Sequence, residues 1–182
     1  EAARYFYHQL MSENGKRGYL YLRGRGLSDE TIKNFGLGYA NQYPDDLYRF
    51  LRQKGFSDAQ LKDSGLVKID ERGCYDKFWN RVMFPIMDIN NKVIGFGGRV
   101  MGEGEPKYLN SPETPIFEKN RNLYGMHVAK RNRKPYFLIC EGYMDVISLH
   151  QAGFTNAVAS LGTAFTVQHG LLLKRYTKEV VL

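Results

Sequence analysis

The stretch Pro135-Tyr-Phe-Leu-Ile-Cys140, followed at once by Glu141-Gly-Tyr-Met-Asp145, decides the fold. Its apolar half is too short for a helix and reads as a strand over 135–140; the residues after Gly142 read as a helix over 143–152. The pattern then repeats, with a strand over 156–161, a helix over 166–176 and a strand over 179–182. Short apolar strands alternating with helices predict βαβ units and a parallel sheet, an α/β fold. In such sheets ligands gather at the carboxyl ends of the strands, and Glu141 falls at that edge. Gly142 allows a tight turn into the helix, and Asp145, four residues on from Glu141, faces the same crevice. Two carboxylates there suit a hard divalent cation held through oxygen. The same acids in a first helical turn also complement the helix dipole, and spacing alone leaves both roles open.

Upstream the texture changes twice. Residues 66–110 read as strands, with Val82-Met-Phe-Pro-Ile-Met and Lys92-Val-Ile-Gly-Phe joined by the Asn-rich turn Asp88-Ile-Asn-Asn. Residues 1–65 read as helical. Ser28 precedes the acids Asp29 and Glu30 as an N-cap does, Gly36 sits where a C-cap belongs, and Asp45–Lys54 and Ser57–Ser64 repeat this grammar with Gly55 and Gly65 as stops. A further helix is expected at Asn122–Arg131.

Composition narrows the class. The 182 residues carry 26 Lys+Arg against 19 Asp+Glu, a net charge of +7, with 43% hydrophobic and 14% aromatic residues, enough for a packed core. No apolar run approaches the ~20 residues of a membrane-spanning helix. The first residues, Glu1-Ala-Ala-Arg, show no signal-peptide pattern. That start, and an end inside an expected strand at Leu182, suggest a piece of a longer protein. Cys74 and Cys140 are too few for a four-cysteine zinc site or a disulfide framework, and read as buried thiols of a cytoplasmic protein. Of the +7, residues 1–133 hold 22 basic and 16 acidic side chains and residues 134–182 hold 4 and 3. Lys119, Arg121, Lys130, Arg131, Arg133 and Lys134 form a basic cluster with no acid between them.

Gly95-Phe-Gly-Gly-Arg99 permits close approach of a backbone or a phosphate, with Arg99 placed for a bidentate contact, or else marks a β-bulge. Aromatic residues interleaved with Lys and Arg at Asp76–Arg81 and Pro106–Thr114 suit single-stranded nucleic acid, although Trp79 and Tyr108, each taken alone, are expected in the core. The four histidines, His8, His127, His150 and His169, lack ligand spacing. Serine-nucleophile, metalloprotease and kinase signatures are missing.

Glu141-Gly-Tyr-Met-Asp-Val-Ile, followed by Ala159-Ser-Leu-Gly-Thr-Ala, resembles the opening of a TOPRIM domain, the module shared by bacterial primases, topoisomerases and some nucleases. Tyr21-Leu-Arg-Gly-Arg-Gly-Leu-Ser, Asp76-Lys-Phe-Trp-Asn-Arg-Val-Met-Phe-Pro-Ile, Gly95–Arg99 and Lys107-Tyr-Leu-Asn-Ser-Pro-Glu-Thr-Pro-Ile-Phe-Glu-Lys resemble the DnaG-type bacterial replicative primases. The resemblance spans nearly the whole chain. It implies a core N-terminal subdomain over 1–133 and the first part of a TOPRIM domain over 134–182, cut before the Asp-x-Asp motif of that module. It implies a DNA-directed RNA polymerase that makes short RNA primers on single-stranded DNA from nucleoside triphosphates in the cytoplasmic replisome. Mg2+ or Mn2+ would be the cofactor, and zinc and the replicative helicase would belong to domains outside this chain. Glu141 and Asp145 match the metal-binding or proton-transferring acids. Arg81, Arg99, Lys107 and Lys119 match basic positions of the template or nucleotide groove, and Asn110 a polar one. Trp79 stands where a basic residue is common and Glu118 where a histidine is common. Without Asp-x-Asp, the chain by itself is expected to bind nucleic acid weakly and not to polymerise. A scaffold that has lost catalysis is the rival reading. A topoisomerase or nuclease is a third, against which the upstream motifs count.

Overall fold

The computed structural model describes residues Glu1–Leu182. Helices α1 (Ala2–Leu10), α2 (Lys16–Gly24) and α3 (Asp29–Asn34) open the chain, followed by strand β1 (Gly38–Ala40) and helices α4 (Asp46–Gln53) and α5 (Asp58–Asp63). Strands β2 (Val67–Asp70) and β3 (Gly73–Asp76) form a separate hairpin. Strands β4 (Arg81–Met87), β5 (Val93–Val100) and β6 (Tyr108–Asn110) join β1 in an antiparallel sheet of order β1-β4-β5-β6. Helix α6 (Met126–Ala129) leads into β7 (Tyr136–Cys140), α7 (Tyr143–Gln151), β8 (Ala157–Ala159), α8 (Val167–Lys174) and β9 (Glu179–Val181). These last three strands make a parallel sheet of order β8-β7-β9.

Local chemistry sets the boundaries. Ser28 Oγ accepts the Thr31 amide at 3.1 Å, capping α3 as its sequence predicts, and Ser57 with Gln60 closes a reciprocal capping box on α5. Gly36 ends α3 in the left-handed region at φ +61°. The helix expected at Asn122–Arg131 is shorter. A 3-10 turn covers Lys119–Arg121, the chain then runs extended, and Gly125 at φ +80° starts α6. Strand β1 was not foreseen within the helical first third; its three residues are fully covered and pair with β4, more than forty positions away.

The largest apolar cluster draws residues from both sides of position 133/134. It joins Leu22, Ile32, Val82 and Phe84 to Tyr143, Ile147 and Leu161. Several polar ties run beside it. Gln151 on α7 accepts the Ser28 amide and donates to Gly26 O, each at 2.8 Å. His169 donates its Nε2 proton to Lys119 O at 2.9 Å and accepts the Thr166 amide on Nδ1 at 3.1 Å, which fixes its tautomer. The two βα units therefore pack as an extension of the first 133 residues.

Candidate functional site

Glu141 leaves the carboxyl end of β7 as expected, exposed and without an ion-pair or hydrogen-bond partner. Asp145 is also exposed, but one of its oxygens accepts the Gly142 amide at 3.1 Å and so holds the first turn of α7. Asp145 thus fills the helix-start role that the spacing left open, and Glu141 is a free carboxylate. Asp145 also lies close enough to Cys140 to add to the upward shift in that thiol's pKa, which burial chiefly causes. Cys140 and Cys74 are free thiols, half-buried rather than fully covered. As donors for Mg2+ or Mn2+, the two carboxylates are right in kind. They are short in number, because no third His, Cys, Asp or Glu joins them.

What faces this edge is decided by Tyr143. The residue after Gly142 carries its ring across to the antiparallel sheet, where it stacks on Phe84 with centroids 5.2 Å apart and planes 8° from parallel, and meets Tyr124 edge-on at 4.7 Å. Gly97 makes room for it, since a Cβ there would lie 2.6 Å from the ring. Glycines 95 and 98 are filled in the same way, by Phe117 and Phe78, so side chains and not phosphates approach this run. The one β-bulge of the hairpin lies elsewhere, between Ile86 and Met87. Tyr143 Oη donates to Asn110 Oδ1 at 2.7 Å, and Asn110 Nδ2 donates to Leu161 O at 2.8 Å, on the loop leaving β8. Asn110 therefore latches the end of β6 to both loops at the carboxyl edge of the parallel sheet. Burial raises the pKa of Tyr143, keeping it a hydrogen-bond donor.

The latch ties the β6 end to the start of α7, two residues after Glu141. Tyr108, two residues before Asn110, has its ring 6.4 Å from that of Tyr143 and pairs across the sheet with Arg99. The Arg99 guanidinium sits 4.3 Å over the Tyr21 ring and donates to Val100 O at 3.0 Å. Burial and Tyr21 raise the Tyr108 pKa, while Arg99 and Arg25 pull it down, which places all four groups in one patch. Lys107 is exposed and free of acidic partners. Trp79 and Tyr108, expected in the core, are 55% and 40% exposed. The chain thus carries an aromatic and basic shelf of Tyr21, Arg25, Arg99, Lys107 and Tyr108. Tyr21 and Arg25 were within the motif quoted above but were not singled out, because nothing local says that a helix on one side of the sheet meets a strand on the other.

Two expected groove residues sit differently. Arg81 is 5% exposed, and its Nη1 donates to Gly98 O at 3.1 Å and Pro106 O at 2.9 Å. It fastens the β5–β6 loop from below, and burial lowers its pKa. Lys119 lies on the 3-10 turn; its backbone is held by Glu113 and by His169 at the start of α8. Its charge is felt at half-buried Lys77, whose pKa is lowered by burial first and Lys119 second.

A family model described as "DNA primase catalytic core, N-terminal domain" matches residues 5–130, and one described as "Toprim-like" matches 138–182. The chain belongs to the DNA primase catalytic core family. It is 49% identical to the DNA primase of Clostridium acetobutylicum over its whole length, which is 30% of that relative. It is similar to the RNA polymerase domain of the Mycobacterium tuberculosis primase DnaG in complex with a double-stranded DNA bearing a 6-nucleotide overhang (35% identity, TM-score 0.92, 96% of this chain and 56% of that one). It is similar also to a DnaG primase catalytic domain bound to single-stranded DNA (43% identity, TM-score 0.88, 98% and 58%). The catalytic core family is thus matched on both sides of the latch, over a chain that spans under a third of its full-length relative. No helix is long and apolar enough to cross a membrane.

Proposed function

We propose that this chain is the template- and nucleotide-holding part of a DNA primase, a DNA-directed RNA polymerase that lays down RNA primers on single-stranded DNA in the cytoplasm. The observation that supports the reading is the Asn110 latch, which ties the strand bearing Tyr108, next to Lys107, to the start of α7 just after the free carboxylate Glu141. In the reaction a 3′-hydroxyl attacks the α-phosphate of a nucleoside triphosphate and pyrophosphate leaves. Lys107 and Arg99 hold phosphate charge, Lys107 as a mobile point charge and Arg99 as a plane fixed on Tyr21. Tyr108 offers a partly exposed ring for base stacking. Glu141 is the group placed to accept a proton or ligate Mg2+ or Mn2+, with Asp145 beside it. A divalent ion, when bound, neutralises charge developing on the transferred phosphoryl group. Ligands from elsewhere in the parent protein complete its coordination, so the 182-residue chain alone binds strands without polymerising. Zinc and the helicase belong to other parts of the parent protein. Arg81 acts by holding the loop that carries Lys107, and Lys119, on a turn tied to the start of α8, adds positive charge for the strand or nucleotide.

Fluorescence anisotropy with a labelled single strand tests this reading. Lys107→Ala should weaken binding and lower the slope of log affinity against log salt by about 0.7, the value for one lost phosphate contact on a single strand. An unchanged slope would remove Lys107 from the interface.

A further inference from the structure

At the opposite end of α7 from Glu141, roughly 13 Å away at 1.5 Å per residue, a cavity of about 460 Å³ opens between α3, the segment after α6 and the end of α7. Of its eleven lining residues only two are apolar, and none is an acid. Arg131 lines it, exposed and in no ion pair, and is one of the basic cluster that the proposed polymerase reading leaves unused. His127, also in the wall, is only 8% exposed, and its Nδ1 has no hydrogen-bond partner. A buried polar atom without a partner is uncommon enough to need a reason. The neighbouring donors are similarly uncommitted. The Asn34 amide makes no side-chain hydrogen bond, and Thr155 Oγ1 accepts from Asn132 at 2.6 Å, which leaves its own proton free. Charges felt at His127 are Arg131 and Lys130 from its own segment and Asp88 from the β4–β5 turn, with His150 facing it from α7. His150 is already committed, donating Nε2–H to Ala157 O at 2.8 Å.

A cavity of this size, lined by free donors and a cation, calls for a ligand with several acceptor oxygens and negative charge. We propose that it is a second ligand site of this chain, taking a phosphorylated small molecule whose phosphoryl oxygens meet Arg131, the Asn34 amide and the Thr155 hydroxyl, with His127 in the wall behind them. Asn34 comes from the first subdomain and Thr155 from the TOPRIM part, so the ligand would bridge the two away from the polymerising edge. The same phosphoryl chemistry is present in a nucleic-acid backbone. A volume of about 460 Å³ is that of a pocket enclosing a free small molecule, which favours such a ligand over a phosphate flanked by two sugars.

Imidazole NMR signals of the 182-residue chain, titrated with inorganic phosphate, with AMP and with a short oligodeoxynucleotide, test the assignment. Phosphate and AMP are expected to shift the His127 and His150 rings saturably, and Arg131→Gln to weaken both by about tenfold or more, the loss of one charge-assisted contact. Because Arg131 is exposed and unpaired, that variant should melt at the wild-type temperature; Asn34→Ala, also at an exposed side chain without a partner, should weaken the site as well. The proposal is overturned if neither phosphate nor AMP shifts these rings, or if Arg131→Gln binds as wild type. It is overturned equally if the oligonucleotide shifts them and AMP does not.

Discussion

Replacing Asn110 with alanine should uncouple the antiparallel sheet from the carboxyl edge of the parallel one. The substitution removes two hydrogen bonds, from Tyr143 Oη at 2.7 Å and to Leu161 O at 2.8 Å, and leaves both former partners poorly paired. Each bond contributes about 1 kcal/mol net, and stranding a covered partner adds to the cost, so Asn110→Ala should destabilise by about 2–3 kcal/mol. Tyr143→Phe keeps the stacking on Phe84 and loses only the hydroxyl, which should cost about 1–2 kcal/mol. In a double-mutant cycle the two changes should be coupled by about 1 kcal/mol, because both delete the same bond. For a domain of this size the single Asn110 change then lowers the melting temperature by roughly 4–12 °C. Urea and thermal unfolding of the four proteins supply the numbers. An Asn110→Ala variant within about 0.5 kcal/mol of wild type, or additive single changes, would refute the latch and with it the positioning of the shelf.

Two further outcomes follow from buried charge. Arg81→Ala should cost about 2–4 kcal/mol, by stranding the Gly98 and Pro106 carbonyls and leaving a void, and Arg81→Lys should recover only part of it; chemical denaturation measures both. His127 has its pKa pushed down to about 4, by burial first and by His150, Arg131 and Lys130 after it. Between pH 6.5 and 4 the unfolded chain takes up a proton that the folded one refuses, so this residue's contribution is present above the ordinary histidine pKa and is lost as pH falls. Stability curves of wild type and His127→Gln should therefore converge by up to about 3 kcal/mol on acidification through that window, and parallel curves would contradict the burial of a neutral ring.

The βαβ half was legible because its signals are local. Five apolar residues before Glu141-Gly, and the spacing after them, place β7, α7 and the carboxylate edge within a residue or two of where they lie. Caps at Ser28 and Ser57 were equally readable, since a serine and its amide partner are three positions apart. The sequence reading fails where the deciding contact is distant. Strand β1 exists because β4 pairs with it, and Arg81 is buried because a carbonyl 25 residues away reaches it. Gly95, Gly97 and Gly98 left phosphate, backbone and bulge readings open because the aromatic rings that fill them come from other elements. Asn110 was picked out as polar and near the groove, but its part as a latch depends on Tyr143 and Leu161, 33 and 51 positions on.

The most direct test of the central claim is primer synthesis by the parent protein carrying Glu141→Gln, measured beside its binding of single-stranded DNA. Glu141 is exposed and makes no hydrogen bond, so the change costs no folding energy and leaves the shelf intact. The account predicts wild-type strand affinity with primer synthesis down by about two orders of magnitude or more, the range expected for loss of a group acting on the transferred proton. Undiminished synthesis would contradict it.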